Sequence, residues 1–266
     1  MSEITIFFLY LLAALSFAFS RLPTQQTREH TYSRIAFFVC GAAIVIHGRL
    51  LYADVLPGGA LTINNAVSLI GFQLALIALF GAFKDRLRGL CAGLLLIGAV
   101  TALATGADGG DAAASQLSWQ LRTHVLTSLF AYGLLTAGAI LAIFALIQEN
   151  RLQQAKLSPV SALFAPLETT EKLLYAVTGT GFIVLALSVV SGVTFIENLF
   201  AQHLVHKTIL SLLALLVFGV LLIGRRFAGW RGKRAVYLYL AGFAILCLAY
   251  FGSRLILEEI LGRSWS

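Results

Sequence analysis

Residues 123–147 read THVLTSLFAYGLLTAGAILAIFALI, with one histidine near the start and no lysine, arginine or carboxylate. As a helix rising 1.5 Å per residue this stretch is about 37 Å long, enough to cross a hydrocarbon layer of about 30 Å. A soluble core buries apolar runs half that length between polar turns, and such turns are scarce here. Working outward, seven more runs have the same character: 3–20, 35–53, 63–83, 90–106, 173–196, 206–223 and 235–257. The whole chain is 59% hydrophobic and only 12% charged, too apolar for a soluble domain of 266 residues. The pattern predicts an all-α polytopic membrane protein, a bundle of eight transmembrane helices forming a single transmembrane domain over 1–266. The first run has only Ser2 and Glu3 after the initiator and no A-x-A-like site behind it, so it reads as a span rather than a leader.

Charge sorts these spans in the bilayer. Fourteen of the nineteen Lys and Arg fall in alternate connections. Arg21, Arg28 and Arg34 follow the first span, and Lys84, Arg86 and Arg88 the third. Arg151, Lys156 and Lys172 follow the fifth, and Arg225, Arg226, Arg231, Lys233 and Arg234 the seventh. The positive-inside rule places these in the cytoplasm and both termini outside it. The net charge of +7 is thereby explained by loops on an anionic leaflet. Nucleic acid is not an expected partner, because no basic patch is interleaved with aromatic residues.

Five cations break the sorting: Arg49, Arg122, Lys207, Arg254 and Arg263. Three of them stand beside histidines. His47 is placed at the end of span two, His124 at the start of span five, and His203 with His206 at the start of span seven. Imidazoles from two helices facing each other across a bundle are what a six-coordinate haem iron uses as axial ligands. Haem propionates need cations, and Arg49, Arg122 and Lys207 are the candidates, with Tyr52 and Trp119 adding flat surface at the same depth. The expected cofactor is a non-covalent b-type haem, with His124 and His206 as iron ligands and His47 and His203 in reserve. Belt aromatics and snorkelling cations explain each feature singly. A zinc held by three histidines is the competing metal site. His30 lies in a cytoplasmic loop and has no assigned role.

Other chemistries lack their residues. Cys40, Cys91 and Cys247 lie in apolar runs without CxxC spacing, and the single Met is the initiator. No carboxylate sits mid-span, which disfavours a proton-coupled small-molecule permease. The remaining alternative is a cofactor-free scaffold or regulatory subunit of another inner-membrane protein.

Several segments resemble the cytochrome c assembly proteins of the CcsA/ResC type, and more closely their small, YpjD/HemX-like branch. They are His206-Lys207-Thr208-Ile209-Leu210-Ser211, Gly229-Trp230-Arg231-Gly232-Lys233-Arg234-Ala235, Gly242-Phe243, Arg122-x-His124, Asn65-Ala66-x-Ser68-Leu69 and Leu167-Glu168-x-x-Glu171-Lys172. The resemblance covers roughly residues 40–255. It implies a membrane protein that handles or senses haem on the extracytoplasmic side, with partners among cytochrome c maturation proteins and His124 best matching an axial ligand. Larger members carry a tryptophan-rich outer segment, whereas 197–205 here contains no Trp. The resemblance therefore implies an accessory haem-handling protein rather than a complete haem lyase.

Overall fold

The computed structural model describes residues 2–22, 29–55, 62–105, 118–154, 163, 165–195 and 202–252. Among them are eight α-helices and no strand: α1 (Ser2–Phe19), α2 (Glu29–Val55), α3 (Ile63–Gly81), α4 (Arg88–Ala102), α5 (Trp119–Gln153), α6 (Leu167–Phe195), α7 (Gln202–Phe227) and α8 (Gly232–Cys247). Seven are long and apolar enough to cross a membrane. The exception is α4, whose 15 residues span about 22 Å. Several helices run past their apolar cores: α2 begins at Glu29 and α5 at Trp119, because polar residues continue a helix once outside the hydrocarbon.

The described chain forms two compact units, 1–117 with 147–170, and 118–146 with 171–266. In the first, α1 packs on α2 and α4, and α3 on α2 and α4. Gly71 and Gly98 let α3 and α4 approach closely, since a Cβ on Gly98 would stand 3.2 Å from Gly71 O. Without a hydrophobic drive between helices in lipid, such small-residue contacts provide the packing. Where α4 begins, buried Arg88 is paired with Glu29 at 3.0 Å and with Asp85. A guanidinium removed from water needs this much compensation.

In the second unit, two tyrosines tie α5 to α8. Tyr239 Oη donates to Leu135 O and Tyr132 Oη to Leu246 O, both at 2.7 Å. Leu246 lies two residues before a π-helical turn, Leu248–Gly252, that ends the described chain. Exposed Ile183, Leu187 and Val190 on α6, and Ile209, Leu216 and Ile223 on α7, form apolar stripes at helical spacing, the lipid-facing surface of a span.

Candidate functional site

His124 lies in the second turn of α5 and lines a cavity of about 330 Å³. Ser128 and Tyr132 continue its face of α5 at four-residue spacing, and Ser188, Lys207 and Tyr250 close the cavity from α6, α7 and the π turn. The imidazole rests on bare backbone: a Cβ on Gly192 would meet His124 Cε1 at 3.0 Å.

The hydroxyls around the ring fix its tautomer. Ser191 Oγ donates to Ser188 O at 2.8 Å, so toward His124 Nδ1, 2.9 Å away, it can only accept. With the Ser191 proton on Ser188 O, the ring proton is on Nδ1. Nε2 carries a lone pair and has no hydrogen-bond partner among the described residues. Ser128 Oγ donates to His124 O at 2.8 Å, so the 2.6 Å contact between Ser128 and Ser188 is donated by Ser188. An imidazole held at Nδ1 with Nε2 open can accept a metal ion or a proton donor at Nε2, because the Nδ1 hydrogen bond sets both tautomer and ring orientation.

The cations beside the histidines in sequence separate in space. Residues two apart on a helix point about 200° apart, and neighbours are three or four apart. Arg122 thus leaves His124 on a different face of α5 and is not among the described residues lining the cavity. Arg49 stands exposed two residues from buried His47. Lys207, 83 positions from His124 in the chain, is the cation brought to its cavity.

His47 belongs to the other compact unit and has a different environment. It sits eight residues inside the end of α2, not at the end, and is fully buried. Nδ1 is 3.1 Å from Tyr10 Oη, while Nε2 is 2.8 Å from Ser68 Oγ and 3.4 Å from Thr105 Oγ1. The rings of Tyr10 and Phe72 meet it edge-on at 5.7 and 5.5 Å. Both nitrogens are engaged by α1, α3 and the residues after α4.

His203 and His206 occupy the first turns of α7, and their side chains lie outside the described residues, as do Arg254 and Arg263. No group of three or more His, Cys, Asp and Glu that could hold a metal gathers among the described residues. Cys40 and Cys91 are buried and Cys247 half-buried, all as free thiols. The sequence reading missed the serines. Ser188 and Ser191 are 60 and 67 residues from the α5 groups they bond, and a Ser in an apolar helix usually turns back on its own carbonyls.

Residues 2–261 match the model of the cytochrome c assembly protein family. The chain belongs to that family. It is 30% identical over 250 residues to the inner membrane protein YpjD of Escherichia coli K12, covering 90% of this chain and 92% of that one. It is also similar to the cytochrome c biogenesis protein CcsA of Guillardia theta, 26% identical over 163 residues and 54% of each chain. The CcsA of Microcystis aeruginosa is 27% identical over 123 residues, 46% of this chain and 37% of that protein. No solved structure matches. The protein is a polytopic membrane member of the cytochrome c assembly family.

Proposed function

We propose that this family member is an accessory haem-holding protein of cytochrome c maturation in the bacterial inner membrane, with His124 Nε2 as an axial ligand. Its termini and the His124 end of α5 then face away from the cytoplasm, as the loop charges direct. The observation that carries the reading is the open Nε2 of an imidazole fixed at Nδ1 by Ser191, in a cavity shared with Lys207.

The residues suit a non-covalent b-type haem. The walls given by Leu129, Tyr132, Leu185 and Tyr250 accept a porphyrin face, and Lys207 supplies the cation for a propionate. At about 330 Å³ the cavity is near the lower bound of small-molecule sites, about 300 Å³. A cavity of this size would take part of a macrocycle, and the apolar helix surface beside it would have to cover the rest. Bound haem would be cargo or signal here, coordinated and oriented rather than chemically altered. The absence of tryptophan between 197 and 205 favours holding over transfer to an apocytochrome.

The second ligand is assigned to α7. His206 is the first choice from the sequence, and His203 is tested beside it because it precedes Lys207 by one helical turn. Haem added to the purified protein is expected to give a Soret band that shifts or falls in His124→Ala and in one of His206→Ala and His203→Ala. Absence of any Soret band after haem addition overturns the reading.

A further inference from the structure

The connection between α7 and α8 is four residues long, and the spans it joins end at Phe227 and begin at Gly232. Its backbone therefore runs at headgroup depth. The segment is a constructed turn. Ala228 and Trp230 N–H both donate to Gly224 O, at 3.0 and 3.2 Å. Gly229 and Gly232 hold φ of 64° and 62°, which other residues adopt only under strain. The Trp230 indole lies against Gly224, where any Cβ would collide with it. Trp230 O accepts from Tyr175 Oη at 2.9 Å and from Arg225 at 3.2 Å, and Glu171 accepts the Gly232 N–H at 3.1 Å. Arg225 lies 4.3 Å over the Tyr175 ring and Arg234 4.4 Å over the Trp230 ring.

Three cations on this frame, Arg226, Arg231 and Arg234, are exposed, and no carboxylate pairs with them among the described residues. Beside them Phe227 is 82% exposed. We infer that this turn is a seat for the headgroup of an anionic phospholipid, with Arg226, Arg231 and Arg234 on its phosphate and Phe227 against its acyl chains. Membrane orientation alone asks only for positive charge on this side. It does not ask for a guanidinium stacked on a ring and a loop pinned by carbonyl and carboxylate bonds. A planar guanidinium meets phosphate oxygens two at a time, which an ammonium cannot. The exposed phenylalanine is the element a soluble anion would not need.

The test uses the full chain with Trp119→Phe and Trp265→Phe, leaving Trp230 as the only indole, reconstituted in vesicles. Brominated phosphatidylglycerol is expected to quench Trp230 at least about twofold more strongly than brominated phosphatidylcholine. In R226Q/R231Q/R234Q the preference should disappear. Lysine at the same three positions keeps the charge, and hence the orientation, and should lose about half of the preference. Equal quenching by the two lipids in the parent would overturn the inference, as would a preference unchanged by either triple variant. Abolition of the preference by millimolar inorganic phosphate would show a site for a free anion and also overturn the lipid assignment. The outcome does not depend on whether haem binds.

Discussion

His47 and His124 are both histidines in long apolar helices, each flanked two residues away by an arginine, and they have opposite surroundings. His47 has hydroxyls on both nitrogens and no exposed surface, so its network joins α1, α2, α3 and the residues after α4. His124 has one nitrogen held by Ser191 and the other open, at a cavity with a lysine in its wall. An imidazole with both nitrogens satisfied can only stabilise. One with a single nitrogen satisfied can also bind. The difference comes from neighbours 21 to 67 residues away, not from the histidine or its flanking sequence.

The largest expected effect tests the sealed side of this comparison. His47→Ala leaves a cavity and strips partners from Tyr10 and Ser68, and should cost about 2–4 kcal/mol of stability. Thermal unfolding followed with a thiol-reactive fluorophore reports this directly, because Cys40 and Cys91 are buried in the same unit. Its haem spectrum should match the wild type below the unfolding transition. On the open side, Ser191→Ala frees the imidazole to rotate and change tautomer, and haem affinity should fall about 10- to 100-fold with little change in melting. Gly192→Ala pushes a methyl onto Cε1 and should weaken haem binding about tenfold by moving the ring. Lys207→Gln removes a cation at a half-exposed position, and a loss of about two- to fivefold is expected in a haem titration. If Ser191→Ala and Gly192→Ala bind haem as the wild type does, the contrast between the histidines has no functional meaning.

The spans were legible because a bilayer imposes a length and an apolar composition that few other structures need. Each of the eight runs contains a helix among the described residues, and the differences lie at the polar ends, which hydropathy cannot see. The fourth is the least span-like: of the run 90–106, α4 ends at Ala102 and residues 103–105 are turn. His124 was legible as a ligand candidate from its place at a helix start beside Arg122. Of the three candidate cations, Lys207 lines the cavity and Arg122 does not, because adjacency in sequence is not adjacency on a helix. His47 read as a residue of the same class because nothing in 40–52 announces that Tyr10, Ser68 and Thr105 surround it. Hydroxyl partners carry no sequence signature in an apolar helix. They become visible only when the helices are packed.

Haem titration of His124→Ala beside His47→Ala, each below its unfolding transition, tests the central claim most directly. The account predicts that His124→Ala loses or shifts the Soret band while His47→Ala binds like the wild type. A wild-type spectrum in His124→Ala, or a lost Soret band in a folded His47→Ala, would contradict it.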